Sequence, residues 1–222
     1  MRLLIIICFI ISSFTGVSAQ ERYVKPIDEA KNDASFVAFR EGLISAVRKK
    51  DAKYLIGVLD RDIKVSFGGD AGIEDFKKSW KINEPNSMLW NELLTVLTNG
   101  GKFSKAEGVN YFSAPYSFDG FPADLDAFEH QVIFGSNINL RSKTNLNAEI
   151  VATLSYNVVK VDYENSIGSP DDETQYVWLK VETLGGKKGF VSAKYVRSPI
   201  AHRAIFEKKG GRWKMTAFIA GD

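Results

Sequence analysis

At residues 137–196 the sequence pattern changes from helical spacing to short runs in which apolar and polar side chains alternate. Apolar residues occupy every second position of two such runs, at Val159 and Val161 and at Val177, Leu179 and Val181. Alternation of this kind is typical of a half-buried strand, and residues 184–187, Leu-Gly-Gly-Lys, predict a hairpin turn. Short strands without an intervening helix predict a small barrel that protects its edges by near closure.

Three short motifs give this segment a family resemblance. Ile138-Asn139-Leu140-Arg141 opens the segment, Trp178-Leu179-Lys180-Val181 lies in its middle, and residues 189–196, Gly-Phe-Val-Ser-Ala-Lys-Tyr-Val, close it. Residues 137–197 thus resemble the bacterial SH3 domain, a small β-barrel found mainly in secreted and envelope proteins. Because that domain binds rather than catalyses, the resemblance implies an attachment or interaction role.

Residues 1–19 have the organisation of an export signal. Arg2 supplies a positive charge, residues 3–11 form a short apolar core, and Val17-Ser18-Ala19 places small residues where a signal peptidase requires them. We expect cleavage after Ala19 and a periplasmic or secreted protein without stable membrane insertion. The alternative is a retained membrane anchor, which requires roughly 20 apolar residues.

The composition excludes several classes of protein. Cys8 is the only cysteine and lies within the predicted signal. The exported protein would therefore carry no disulfide, no cysteine nucleophile and no thiolate metal site. The chain has 29 Lys and Arg residues against 27 Asp and Glu residues. This near balance gives no electrostatic attraction to nucleic acid, and we expect no nucleic-acid partner.

Helical and strand patterns alternate in the rest of the chain. Residues 20–33 are polar and predict a flexible lead-in. From Ala34, apolar side chains recur at three- and four-residue steps and predict an amphipathic helix. Further helices are predicted at residues 51–59, 73–80 and 87–97, and strands at residues 63–67, 109–118 and 128–134. This order predicts a mixed α+β domain over residues 34–135.

A last hairpin follows the barrel segment. Residues 203–207 and 213–220 predict two apolar strands around a turn at 208–212. The barrel's own final strand is complete at Tyr195-Val196, so we assign residues 200–222 to the sheet of the first domain. The predicted fold class is therefore α+β, with N-terminal helices, a bent, mostly antiparallel sheet, and an SH3-like β-barrel inserted before the final hairpin.

The α+β part also has a family resemblance. It depends on residues 46–51, Ala-Val-Arg-Lys-Lys-Asp, on the strand at 63–67, on the helix at 73–80, and on residues 213–218, Trp-Lys-Met-Thr-Ala-Phe. These resemble the nuclear-transport-factor-2-like superfamily, in which a bent sheet wraps around the first helices and leaves a pocket at its open end. Together with the export signal and the barrel, they resemble a family of bacterial envelope proteins with SH3 domains.

Aromatic residues are the predicted ligand-binding residues of the barrel. Alternation places Trp178 opposite to Leu179, and Tyr156, Tyr163 and Tyr195 lie near turns. In domains that this segment resembles, such aromatics line a groove for a peptide or a cell-wall strand. The alternative is that Trp178 packs under the first domain or a loop and that the tyrosines lie on the surface.

His130 is the one candidate for a catalytic residue, and we identify no catalytic motif. Its place in the predicted strand at 128–134 could direct it into the pocket of the first domain, where Asp60 or Asp70 could orient it. The alternative is a packed histidine with one hydrogen bond. The chain has only two histidines, with no metal-ligand spacing, so we expect no metal and no cofactor.

These observations favour a non-enzymatic exported binding or scaffold protein. Its SH3-like domain would recognise cell-wall peptidoglycan, a peptide or an envelope protein partner. Two alternatives remain open at this point: a small-ligand binder or enzyme that uses the pocket of the first domain, and a structural protein that assembles through its sheet.

Overall fold

The computed structural model describes residues 20–172 and 175–221, so the predicted signal at 1–19 lies outside the described residues. The described helices are α1 Ala34–Arg48, α2 Ala52–Val58, α3 Ile73–Trp80, α4 Leu89–Thr98 and α5 Tyr116–Asp119. The described strands are β1 Leu59–Lys64, β2 Lys102–Ala106, β3 Val109–Ala114, β4 His130–Ile133, β5 Ile138–Arg141, β6 Ile150–Leu154, β7 Val158–Gly168, β8 Tyr176–Thr183, β9 Lys188–Ser192, β10 Val196–Arg197, β11 Arg203–Lys209 and β12 Arg212–Ile219.

The strands form two sheets, and the first sheet combines β1, β2 and β3 with the two strands of the final hairpin. The five-stranded sheet has the order β1-β12-β11-β3-β2, and the seven-stranded sheet has the order β10-β4-β7-β8-β9-β5-β6. All neighbours are antiparallel except β1 and β12. The final hairpin, β11 and β12, therefore lies inside the first sheet, while β4 to β10 form the second sheet. This confirms the predicted α+β class with a barrel inserted before the final hairpin.

Helix α1 covers one face of the first sheet. The helix begins where the Asp33 carboxylate accepts hydrogen bonds from the amides of Ser35 and Phe36, at 2.8 and 3.0 Å. Phe36 is fully buried, and its ring centroid lies 4.3 Å from that of Phe112 and 5.6 Å from that of Phe206. Aromatic rings therefore fill the space between this helix and the sheet. None of the described helices is long and apolar enough to cross a membrane.

Strand β4 belongs to the second sheet, although the pattern at residues 128–134 was expected to add a strand to the first domain. Val132 pairs with Val158 of β7, and Ile133 pairs with Val196 of β10. Ile133 is also fully buried in the apolar core of the second sheet. The second sheet thus begins before residue 137, because β4, which lies between β10 and β7, is contributed by the preceding segment.

Residues 20–33 are packed against the protein and do not form the free lead-in that their polarity predicts. The Val24 amide donates to the Tyr156 carbonyl at 2.8 Å, and the Val158 amide donates to the Arg22 carbonyl at 2.8 Å. Val24 and Ala30 are buried. Backbone hydrogen bonds and two buried apolar side chains thus hold a segment whose many polar residues predict flexibility.

The junction between the two sheets combines apolar packing with an ion pair. Val24, Tyr116, Val132 and Val158 form a buried cluster to which the segment at 20–33, α5, β4 and β7 each contribute. Beside this cluster, the rings of Tyr116 and Phe134 are stacked at 5.2 Å. These contacts give the inserted sheet a defined face toward the first domain.

The ion pair joins Arg197 of β10 to Glu92 of α4. The Arg197 guanidinium donates to the Glu92 carboxylate at 2.8 Å and to the His202 carbonyl at 2.7 Å. The two charged side chains are 11% and 27% exposed, so water screens the pair only in part. His202 lies against Trp80, with 4.7 Å between the ring centroids, and its Nδ1 is 3.9 Å from the Glu92 carboxylate.

The placement of β4 predicts where the inserted unit can be excised. A fragment of residues 126–197 retains β4 between β7 and β10, whereas a fragment of residues 137–197 lacks this strand and the buried Ile133 side chain. We expect the longer fragment to show dispersed amide signals in a 1H–15N correlation spectrum and cooperative thermal unfolding. We expect the shorter fragment to show neither. Equal folding of the two fragments would contradict this role of β4.

The surroundings of His202 predict a pH-dependent stability. Burial lowers the pKa of His202; the Glu92 carboxylate opposes this shift, and Arg197 and Arg203 add to it. The unfolded chain, with a histidine pKa of about 6.5, takes up the proton first as the pH falls. The free energy of unfolding should therefore be greater at pH 7.5 than at pH 5.5. His202→Gln should reduce this difference in chemical denaturation measurements, and an unchanged difference would contradict the prediction.

Candidate binding face on the second sheet

The side chains of strand β8 alternate between the core and the outer side of the second sheet. Leu179, Val181 and Thr183 are buried, while Trp178, Lys180 and Glu182 alternate with them and are only partly buried. A strand places successive side chains on opposite faces, so the second set points away from the core. The sequence predicts this orientation for Trp178, and the structure extends it to the two charged residues that follow.

Three ion pairs lie side by side across the neighbouring strands. Lys160 Nζ is 2.7 Å from the Glu129 carboxylate, Lys180 Nζ is 3.2 Å from that of Asp162, and Lys188 Nζ is 3.2 Å from that of Glu182. The register explains the arrangement, because Lys160 pairs with Glu182 and Asp162 pairs with Lys180 between β7 and β8. We call the surface formed by these six side chains the charged face.

The charged face borders a shallow cavity of about 530 Å³, which Tyr163 and Glu164 also line. Tyr163 is 39% exposed, and its ring centroid lies 5.6 Å from that of Tyr176. The Gln131 amide donates to the Tyr163 hydroxyl at 2.7 Å and fixes the position of the ring. A pair of aromatic rings therefore stands at one end of a row of alternating charges.

A local irregularity in β7 brings Tyr163 to this position. The register between β7 and β8 shifts between Asp162 and Ile167. Within the shift, the Ser166 hydroxyl donates to the Asp162 carbonyl at 2.7 Å and accepts from the Lys180 amide at 2.9 Å. The serine hydroxyl replaces ladder hydrogen bonds, so the strand can bulge without leaving these backbone groups unsatisfied.

Hydrogen bonds on the charged face shift the pKa values of Asp162 and Lys160 in the direction that favours their charged forms. Hydrogen bonding from the Asn165 side chain, supported by Lys180, lowers the pKa of Asp162 below its usual range. Hydrogen bonding to the Glu129 carboxylate raises the pKa of Lys160. Burial raises the pKa of Tyr163, with a smaller contribution from Tyr176. At neutral pH Lys160 and Asp162 therefore carry opposite charges beside the neutral phenol of Tyr163.

The four predicted aromatic residues do not line one groove. Tyr163 lines the cavity beside the charged face, whereas Tyr156 lines a separate cavity of about 370 Å³ with Tyr116 and Phe134 at the domain junction. Trp178 faces outward between Ile167 and Ser192 of the adjacent strands. Tyr195 lies in a turn, with Lys194 Nζ 4.8 Å from its ring centroid. The predicted set thus divides among different surfaces.

His130 does not face a pocket of the first domain. It lies in β4 of the second sheet, and its Nδ1 is 3.0 Å from the Asp126 carbonyl oxygen. The carboxylates proposed to orient it are engaged elsewhere: Asp60 is 3.0 Å from Lys209 Nζ, and Asp70 accepts from the Ser66 hydroxyl at 2.9 Å. The placement of His130 in a pocket of the first domain, oriented by Asp60 or Asp70, is therefore wrong. The reason is that β4, which carries His130, belongs to the second sheet.

Sequence reasoning missed the lysines and acidic residues of the charged face. The alternation that turns Trp178 outward also turns Lys180 and Glu182 outward, so these two charged residues could be predicted from the sequence. The ion pairs become visible only after β4, β7, β8 and β9 are placed side by side. Among residues 20–172 and 175–221, no group of three or more His, Cys, Asp and Glu side chains could hold a metal ion.

Comparison with known proteins identifies the segment that carries five of the six side chains of this face, all except Glu129. No curated protein and no solved structure matches the chain. The likeness of the α+β part to the nuclear-transport-factor-2-like superfamily stays a prediction. Residues 136–197 match the family model of the bacterial SH3 domain, which confirms the resemblance of this segment, and the chain therefore contains a bacterial SH3 domain at these residues.

Proposed function

We propose that this protein is an exported, non-catalytic binding protein whose SH3 domain attaches it to the cell wall through the charged face. The match of residues 136–197 supports a binding role, because bacterial SH3 domains often bind peptidoglycan. The export pattern of residues 1–19 supports a periplasmic or secreted location, where the cell wall is accessible.

The observation that carries the proposal is the row of three ion pairs beside Tyr163. Exposed ion pairs contribute little to the stability of a fold, so their charges can be exchanged with those of a ligand at small cost. A ligand that carries both ammonium and carboxylate groups can pair with Asp162 and Glu182 as well as with Lys180 and Lys188. The stem peptides of peptidoglycan have this chemistry.

Aromatic side chains supply the apolar part of the contact. Tyr163 and Tyr176 lie ring against ring at one end of the charged face, and Trp178 lies two residues before Lys180 on the same side of β8. Aromatic rings offer flat contact area and lose little conformational freedom on binding. The face therefore suits an extended peptide that packs on the rings and pairs its charges along the strands.

Co-sedimentation with purified sacculi tests this proposal. We expect the wild-type protein to sediment with sacculi, and Trp178→Ala and Lys180→Ala to reduce the bound fraction by roughly fivefold or more. The first variant loses aromatic contact area, and the second loses a contact to a charged group. Isolated stem peptides should compete with the sacculi and lower the bound fraction, because they carry both ammonium and carboxylate groups.

Lys77→Ala is the matched control. Lys77 is 33% exposed and pairs with Glu74 in the first domain, much as Lys180 is 35% exposed and pairs with Asp162. This variant should bind as the wild type does, and thermal unfolding should show that all variants are folded. Failure of the wild type to sediment would contradict the proposal, and so would undiminished binding by both the Trp178→Ala and the Lys180→Ala variants.

A further inference from the structure

A third cavity lies in the first domain, outside the SH3 domain. It has a volume of about 570 Å³ and is bordered by the start of α1, the β2–β3 hairpin and the β11–β12 hairpin. The residues that matter for its chemistry are Asp33, Phe103, Lys105, Asn110, Lys208 and Trp213. The cavity therefore combines aromatic, cationic and hydrogen-bonding side chains from three parts of the chain.

The aromatic wall of this cavity is held in place. The ring centroids of Trp213 and Phe103 are 6.2 Å apart, and both side chains are half-buried. Trp213 packs on the fully buried Phe36, with 4.9 Å between their ring centroids. Its indole N–H donates to the Ser35 hydroxyl at 3.0 Å. Packing and a hydrogen bond thus fix the indole plane before any ligand arrives.

The polar groups beside the wall belong to one network. Lys208 Nζ lies 5.6 Å from the Trp213 ring centroid and donates to the Ser35 hydroxyl at 3.1 Å. That hydroxyl donates in turn to Asp33 Oδ1 at 2.6 Å. This contact and the hydrogen bonds from the first amides of α1 lower the pKa of Asp33. The Asp33 carboxylate is therefore ionised and oriented at neutral pH.

The other side of the cavity is formed by β2 and β3. Lys105 and Asn110 are paired in register between these strands, and both side chains are exposed. The lining thus contains two lysines and one carboxylate, which leaves it cationic. Its hydrogen-bonding groups include donors at Lys105, Lys208 and Asn110 and acceptors at Asp33 and Asn110.

We propose that this cavity binds a sugar ring that carries a carboxylate. A pyranose has one apolar C–H face that can lie flat on the Trp213 ring, and a rim of hydroxyls that both donate and accept hydrogen bonds. The Asp33 and Asn110 side chains meet those hydroxyls, and the ammonium groups of Lys105 and Lys208 meet the carboxylate. The ligand is recognised by its sugar ring and its acid group together.

Titration of the full protein with four monosaccharides, followed by ligand-observed NMR, tests the proposal. N-acetylmuramic acid and glucuronic acid carry the carboxylate at different positions, and N-acetylglucosamine and glucose are their neutral counterparts. We expect at least one acidic sugar to bind at least fivefold more tightly than its neutral counterpart. A preference for N-acetylmuramic acid would indicate a cell-wall glycan that has lost its stem peptides, and a preference for glucuronic acid would indicate another acidic glycan. Absence of binding, or equal binding of acidic and neutral sugars, would overturn the proposal.

Two lysines of the same strand provide the matched variants. Lys105 lines the cavity, whereas Lys102 is exposed on β2 outside it. Lys105→Ala should weaken binding of the acidic sugar by roughly fivefold, because it removes a charge-assisted hydrogen bond. Lys102→Ala should leave binding unchanged. Equal affinities of these two variants would overturn the assignment.

This inference is independent of the proposed SH3 function. Lys180→Ala should leave sugar binding unchanged, because Lys180 lies on the charged face of the other sheet. Sugar binding by a wild-type protein that does not sediment with sacculi would contradict only the SH3 proposal, and sedimentation without sugar binding would contradict only this inference.

Discussion

The rest of the structure depends on the final hairpin, whose strand β11 is the central strand of the first sheet. Ala114 ends β3, Ala204 stands near the start of β11, and the two residues are register partners. The chain therefore leaves the first sheet and returns to it at neighbouring positions, and everything between them can form a separate unit. Without β11 and β12, β1 would have no strand beside it, and β3 would lose its neighbour on one side.

The junction between the two units determines how their binding surfaces are presented. If the inserted sheet were attached only at Ala114 and Ala204, it could rotate relative to the first sheet. The Arg197–Glu92 ion pair, the stacked rings of Tyr116 and Phe134, and the anchored segment around Val24 restrict it. The charged face and the cavity beside Trp213 lie on different sheets. Our two proposals therefore describe a protein that contacts its target through two separate surfaces.

Sequence patterns predicted those elements whose signals are local. The alternation around Val159 and Leu179 gave β7 and β8, and the spacing from Phe36 onward gave α1. The strand at 128–134 was placed in the wrong sheet because alternation shows which residues share a face but not which strand lies beside them. The bulge at Ser166 and the anchoring of Val24 depend on contacts with distant residues, which periodicity does not encode. For the same reason, the sequence predicts the outward direction of Lys180 and Glu182 but not the ion pairs of the charged face, which depend on neighbouring strands.

The most direct test of the account is hydrogen exchange of the full protein with and without soluble peptidoglycan fragments that retain their stem peptides. Backbone amides in β7 and β8 lie beneath the charged face, so they should exchange more slowly in the presence of the fragments. Exchange at the Tyr156 cavity and in α2 should not change. Slower exchange confined to those other regions, or none at all, would contradict the central claim that the charged face of the SH3 domain is the surface that binds the cell wall.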